Sequence, residues 1–576
     1  MESGWNYADV WETVADVQPD APAVVQGDRR LTWGEIDHRA DGLARWLLSL
    51  GLLHQDKVAL YLYNCPEYLE AIFAATKVGA VPVNTNYRYA EDELVYLWEN
   101  ADAVVVVFHG ALAGRVERVR SRAQRVRAWL WVDDGSGPCP PWATRYEDAA
   151  KSGAGRVRPP WGRSGDDLVM LYTGGTTGMP KGVMWRQDDL FARMNAAGFR
   201  HYDEAEGLEG IRRTLLADGP GMALLAACPL MHGTGGFTAT ECLSEGGRVV
   251  LLEDRHFDPV ELFDTLEREK VEGVVIVGDP FARPMLAALD AEPDRWDLSS
   301  LLGMISSGAM WSEEVKEGLL RHHPDMVLLD AFSSSEAVGM GISLSSGASA
   351  TRTADFTLGP EVKVLGADGR PVEPGSDEVG VLALAGRNPI GYYKDDEKSA
   401  ATFRVIDGVR YSIPGDYAQV RADGSVHVLG RGSGTINTAG EKVFPEEVEE
   451  VLKTHPAVRD AAVVGVPDPR FGEAVVAVVE PSPGATVDEA ALISFVKERL
   501  ATFKAPRHVR VVRSIGRSPN GKLDYRRLEQ EARARPAAGT DPPAAGTDPP
   551  AAGTDPPAAG TDPPAAGTDP PAAGRD

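Results

Sequence analysis

The segment Ala103–Phe108 reads AVVVVF, an unbroken apolar run long enough for one strand and too short for a buried helix. A strand that is apolar on both faces must be covered on both faces, which selects a parallel sheet layered with helices. The neighbouring sequence keeps this rhythm. Lys57–Tyr63 (KVALYLY) predicts a strand and Pro66–Val78 (PEYLEAIFAATKV) a helix with proline in its first turn. Val81–Val83 predicts the next strand and Glu91–Asn100 the next helix. The alternation returns at Arg248–Leu252, Pro259–Lys270 and Gly273–Val277. The expected class is α/β, with a large N-terminal body of parallel-rich sheets and covering helices.

Composition shifts near Gly430. Glu446–Leu452 predicts a helix after Pro445, with acids in its first turn that suit the helix dipole. Ala461–Val466 and Ala474–Val479 predict strands, and Val487–Leu500 a further helix. Together they make a small α+β C-terminal domain. Beyond Pro536 the chain repeats PAAGTDP and offers no large apolar side chain, so a disordered tail is expected.

The formal net charge is −26, from 59 basic and 85 acidic residues, which argues against nucleic acid or an anionic membrane as partner. A small anion in a local basic niche stays open. Cys65, Cys139, Cys228 and Cys242 form no CxxC pair and no zinc-type spacing, as in a reduced, cytoplasmic protein. The N-terminus lacks a basic region followed by an apolar stretch, so no signal peptide is expected. The most apolar long stretch, Met222–Phe237, is broken by Pro229 and His232, so no transmembrane segment is expected.

The most informative chemistry lies in Leu171–Gly182 (LYTGGTTGMPKG), where a predicted strand feeds a loop of Gly and Thr. Such a loop exposes backbone N–H groups and hydroxyls that can cradle phosphates, and Lys181 adds a point charge. The Walker pattern is not met, because Lys181 lies between Pro180 and Gly182. Further segments follow in order: Pro229–Gly233 (PLMHG), Ser306–Ala309 (SSGA), Asp330–Glu336 (DAFSSSE), Tyr411–Asp416 (YSIPGD), Gly430-Arg431 and Ser518–Asp524 (SPNGKLD). Alone, SSGA, DAFSSSE and the Gly415-Asp416 step read as polar turns, His232 as a satisfied structural histidine and Lys522 as a solvated surface lysine.

In this order they resemble the adenylate-forming superfamily of acyl-CoA synthetases, peptide-synthetase adenylation domains and luciferases, over about residues 10 to 530. The resemblance implies a pyrophosphate loop of Thr173, Gly174, Gly175, Thr176, Thr177, Gly178 and Lys181, with Gly174 standing where the family usually has Ser. It implies an adenine site at Gly308, Ala309, Asp330, Ala331 and Phe332, with the ring of Phe332 stacked on the base. Ser335 would contact the α-phosphate and Glu336 would hold Mg²⁺, a hard cation suited to a carboxylate. Asp416 would take the ribose hydroxyls, Arg431 would be a second contact to ribose or phosphate, and Lys522 would be the mobile lysine of adenylation. His232, Gly233, Gly339 and Trp185 are assigned to the acyl pocket, and Gly235, Gly236 and Gly341 would add room there.

The same resemblance divides the chain into a large domain (1–429), a hinge (430–434), a small mobile domain (435–533) and the tail (534–576). Ser433 and Gly434 occupy hinge places where the family usually carries Asp or Lys followed by Asp. Ala439–Glu449, with Gly440 and Lys442, resembles the coenzyme A ligases. Lys181–Gln187 and Ile436–Gly440 look closest to actinobacterial ligases for fatty acids and steroid side chains. The implied reaction joins a carboxylic acid to coenzyme A through acyl-AMP, with ATP converted to AMP and pyrophosphate. Two alternatives stand beside it: activation of another acid, such as an amino or aryl acid, and a non-catalytic scaffold that binds acyl-AMP.

Overall fold

A computed structural model describes residues 4–153, 155–173, 179–347, 350–438, 441–468, 472–517 and 523–533. The side chains of Ser433 and Lys442 fall outside it, as does the expected disordered tail. Among the described residues there are three sheets, of eight, fifteen and five strands.

The eight-stranded sheet realises the opening motif. Lys57–Tyr61 lies parallel between Val81–Asn84 and Ala103–His109. All seven residues of Ala103–His109 are buried, as an apolar run requires. The helices Pro66–Lys77 and Glu91–Asn100 follow the expected bounds, because Pro66 fills a first-turn position that needs no N–H donor.

The fifteen-stranded sheet corrects the parallel expectation in part. Arg248–Leu251, Ala223–Ala226, Gly273–Ile276, Gly303–Ser307 and Val327–Ser334 run parallel. From Val327–Ser334 onward the pairing turns antiparallel, through Ala337–Ser346, Asp355–Leu358, Val426–Arg431 and Asp416–Val420. The physical reason is connection length: two residues join Val327–Ser334 to Ala337–Ser346, too few for a parallel crossover.

Between the two sheets lies the main core, with Trp11, Trp33 and Phe73 wholly buried. The ammonium of Lys77 is buried there against Glu12 (2.8 Å), Asp37 (2.6 Å) and Asp41 (2.9 Å). It ties together the helices Tyr7–Val17, Trp33–Ser49 and Pro66–Lys77.

In the smaller domain Val458–Asp468 and Gly472–Pro481 form a long hairpin, longer at both ends than the apolar runs suggest. His508–Val511 adds a parallel strand. The helices Pro445–Lys453 and Glu489–Lys497 bury Val448, Leu452, Leu492 and Val496 against Val463, Val475 and Ala477. The second helix starts at Glu489 because the Asp488 carboxylate accepts from the N–H groups of Ala490 and Ala491. This domain rests on the larger one through the rings of Phe444 and Tyr417, 5.7 Å apart. Among the described residues no helix is long and apolar enough to cross a membrane.

Candidate active site

Leu168–Thr173 and Lys181–Arg186 are antiparallel neighbours, and Thr173 sits opposite Lys181. The predicted phosphate loop therefore begins and ends at one sheet edge. Gly174, Gly175, Thr176, Thr177 and Gly178 themselves lie outside the described residues, as do Gly440 and Lys522. Lys181 forms an ion pair with Asp395 at 2.6 Å and lies 5.7 Å from the ring centre of Tyr392.

Tyr392 leads to the acidic centre. Its hydroxyl donates to Glu336 Oε1 at 2.8 Å, and the Ser412 hydroxyl donates to the Glu336 carbonyl at 2.6 Å. Ser334 Oγ accepts from Ala337 N and Ser333 Oγ from Gly339 N, which closes the tight turn that presents Ser335 and Glu336. Gly339 has φ of 77°, a left-handed value that glycine takes without strain. Trp185 corrects an expectation. Its side chain is wholly buried and its ring N–H donates to the Ser335 carbonyl at 2.9 Å. With no accessible surface it borders no opening; it positions Ser335.

The ribose candidates meet across a strand pair, Asp416 opposite Arg431. Arg431 Nε donates to Asp416 Oδ1 at 3.1 Å, while the buried Asp416 Oδ2 has no hydrogen-bond partner among the described residues. Burial pushes the Asp416 carboxyl above its ordinary range, against the pull of Arg431, and the charge of Glu336 adds to the rise. Asp416, chiefly, raises the Arg431 guanidinium in turn, and Glu336 acts on it as well. The fold thus gathers Lys181, Ser335, Glu336, Asp416 and Arg431 into one connected field.

The strand Val327–Ser334 sorts the adenine candidates by face. Asp330 and Phe332 share one face, and Ala331 lies on the other. Phe332 packs on Phe356 with ring centres 5.4 Å apart. Asp330 is buried and pushed up to about 7 by desolvation, which the nearby Lys316 opposes. Gly308 has φ of 88°, and a Cβ there would come within 3.3 Å of Thr234 Oγ1.

On the acyl side, His232 precedes the helix Gly233–Ser244 at its N-terminal boundary. Thr234, in its first turn, donates to the Ser307 carbonyl at 3.3 Å. The expected roominess divides. A Cβ on Gly235 or Gly236 would come within 2.5 Å of the carbonyl of Pro229 or Leu230, and one on Gly341 within 3.1 Å of the Thr357 carbonyl. Those three glycines permit close backbone approach. Gly339 alone among these positions faces open space.

Sequence reasoning missed Asn84, Tyr392 and Asp395. Asn84 Nδ2 donates to the carbonyls of Tyr172 (2.9 Å) and Met231 (2.7 Å), and its Oδ1 accepts from Tyr172 N (2.6 Å). Their partners lie 56 to 214 residues away, so no local pattern marks them.

The donor set suits magnesium. Glu336 supplies a hard oxygen oriented by the Tyr392 hydroxyl. Mg²⁺ is commonly held by one or two carboxylates together with substrate phosphates, so a single carboxylate is compatible with it.

The family model of AMP-binding enzymes matches residues 11–393, and that of the AMP-binding enzyme C-terminal domain matches residues 447–522. The chain is 42% identical over 545 residues to a medium/long-chain-fatty-acid–CoA/3-oxocholest-4-en-26-oate–CoA ligase of Mycobacterium tuberculosis, covering 93% of this chain and 98% of that protein. It is 40% identical over 550 residues to the 3-oxocholest-4-en-26-oate–CoA ligase of Rhodococcus rhodochrous, covering 92% and 97%. The crystal structure of the anthranilate CoA ligase AuaEII with anthranoyl-AMP superposes with a TM-score of 0.76 at 21% identity, over 92% of this chain and 98% of that one. With its large and small domains both matched, the chain belongs to the AMP-binding enzymes of the adenylate-forming superfamily.

Proposed function

We propose that this protein is an AMP-forming acyl-CoA ligase: a carboxylic acid and ATP give acyl-AMP and pyrophosphate, and the thiol of coenzyme A then displaces AMP. The observation that carries the reading is the Asp416–Arg431 pair beside Glu336 and Tyr392. The unpartnered, buried Asp416 Oδ2 offers an acceptor for a ribose hydroxyl, and Arg431 keeps that carboxylate in place. The relatives' names point to a medium- or long-chain fatty acid or a steroid side-chain acid as substrate.

Adenylation brings two anions together, and Coulomb repulsion between them grows as water is excluded. Glu336 would hold Mg²⁺, which when bound supplies neutralising charge at the phosphates. Trp185 fixes the backbone at Ser335, whose hydroxyl would donate to an α-phosphate oxygen. Lys181 brings positive charge to the end of the phosphate loop, restrained by Asp395. The acid's carboxylate attacks the α-phosphorus in line and pyrophosphate leaves. Positioning and charge stabilisation account for the acceleration; the protein forms no covalent bond of its own.

Lys522 would neutralise the incoming carboxylate in the first step. Residues 430–434 would act as a hinge, with the short turn Gly432–Gly434 between the two domains. Gly440 and Lys442 would approach coenzyme A after rotation. The test separates the half-reactions. Lys522→Ala should lose most pyrophosphate exchange yet still convert supplied acyl-AMP and coenzyme A to thioester; equal loss in both would reject the division. AMP release that depends on both acid and coenzyme A tests the overall reaction, and its absence with fatty, steroid and aryl acids would reject it.

A further inference from the structure

The strand Ala337–Ser346 is turned inside out. Ser343 and Ser345 are buried, whereas Ile342 and Leu344 are 43% and 51% exposed. The serines satisfy themselves inward: both hydroxyls bond Thr351 Oγ1, at 2.7 and 2.9 Å, and Thr351 also accepts from Lys316 Nζ at 3.0 Å. A one-residue slip would bury the leucine and expose the serines, yet the register is pinned by seven pairings with Val327–Ser334. An apolar strand face held outward in this way is stable only at a cost, and such faces mark binding surfaces.

Register shows what this face adjoins. Ile342 pairs with Ala331 and Leu344 with Leu329, and Ala331 and Leu329 pair in turn with Ser307 and Ile305. Paired residues share a face. The face therefore begins at Ser307, whose carbonyl accepts from the hydroxyl of Thr234, two residues from His232, and runs outward along Leu329 to Val327, itself 42% exposed. From Ala331 to Val327 the strand covers about 13 Å, comparable to the distal part of a long acyl chain or a fused ring system. Carboxylate chemistry at Ser335 and Glu336 lies at one end of this row, and solvent at the other.

We propose that Ile305, Leu329, Ile342 and Leu344 form an open apolar track that seats the distal portion of the acid substrate, and so select long or polycyclic acids over short ones. This rests on the acyl-CoA ligase reading and adds to it the residues that read substrate length. An open track differs from a closed tunnel in what it tolerates: it sets no upper limit on width, so a rigid ring system and a flexible chain can both lie on it. Burying two such side chains against an apolar tail contributes about 25 cal/mol per Å² removed from water, enough for a tenfold preference from a few tens of Å² on each.

The double substitution Ile342→Thr, Leu344→Thr puts β-branched residues, which suit a strand, at both positions and removes the apolar surface. The readout is the ratio of kcat/KM for palmitate, and for 3-oxocholest-4-en-26-oate, to that for hexanoate, by coenzyme-A-dependent AMP formation with the full chain. The ratio should fall at least tenfold, chiefly through KM. An unchanged ratio overturns the track. So does a change in particle mass by light scattering without a change in ratio, which would make this face a contact between copies. Ile342→Ala alone should give a smaller fall in the same direction, and supplies the measurement if the double variant folds poorly. Failure of the unsubstituted protein to convert any acid would overturn the ligase reading itself, a separate outcome.

Discussion

The indole N–H of Trp185 donates to the carbonyl oxygen of Ser335, and 150 residues of chain separate the two. The bond spans from the strand that leaves the phosphate loop to the turn that presents the acidic centre. Trp185→Phe keeps the ring and removes the donor. An unsatisfied buried carbonyl costs about 1–3 kcal/mol. Pyrophosphate exchange should fall roughly tenfold, equivalent to ~1.4 kcal/mol, with a lower melting temperature. Exchange at the parent rate would show that Ser335 needs no such anchor.

Asp416→Asn keeps the shape of the side chain and removes its charge, and with it the ion pair to Arg431. Hydrogen bonds to charged groups are worth about 1.5–3 kcal/mol, which reads as a roughly ten- to hundredfold rise in KM for ATP. Saturation with the acid should be little altered. A variant with parental KM for ATP would remove Asp416 from the nucleotide site.

Glu446 predicts a pH dependence for the contact between the domains. Glu446, on the helix Pro445–Lys453, packs against Gly430, where any Cβ would overlap its carboxylate. Burial first, then the charges of Glu449 and Asp416, push its carboxyl up to about 8, while backbone N–H bonds act against them. A raised carboxyl value means that the packed arrangement holds a proton the released one gives up. Packing is therefore unopposed at acidic pH and weakens as pH rises from the ordinary carboxylate range to about 8. Energy transfer between dyes on the two domains should drop over that interval, and Glu446→Gln should flatten the profile. A parental profile in the Gln variant would place the titrating group elsewhere.

Glu12, beside Lys77, answers to acid in the opposite sense. Burial raises the Glu12 carboxyl, but Arg163 and Lys77 outweigh it and hold it at about 2. A depressed value contributes stability above the ordinary carboxylate range and loses it as pH falls toward 2. Lys77→Met would remove the cation shared by three buried carboxylates, leaving Glu12 to Arg158 and Arg163 and Asp37 to Arg156, and should cost about 3–5 kcal/mol near neutral pH, chiefly through Asp41. Urea midpoints across pH measure both effects; a difference between parent and variant that fails to shrink in acid would sink this account.

What the sequence made legible follows from where its signals are local. Ala103–Phe108 and Pro66–Val78 each carry their burial pattern within a few residues, and the structure reproduces them almost to the residue. The turn carrying Ser335 and Glu336 was visible because small polar residues cluster there. Tyr392 and Asp395 were not, because each is an ordinary residue that matters only through a partner far along the chain. Trp185 was misplaced for a related reason: composition does not reveal which way an indole points. The strand Ala337–Ser346 misleads any reading by alternation, since its serines face inward only because Thr351 is there to receive them.

Asn84 has a consequence for anyone who would re-tailor this protein. One amide clasps the strand feeding the nucleotide loop and, through Met231, the bend that carries His232. Remodelling that bend to admit a new acid would tug on the ATP side as well, so gains in scope would come with losses in nucleotide handling. Ile342 and Leu344 lie on a different strand from the bend, take no part in this clasp, and offer a place where the two can be tuned apart.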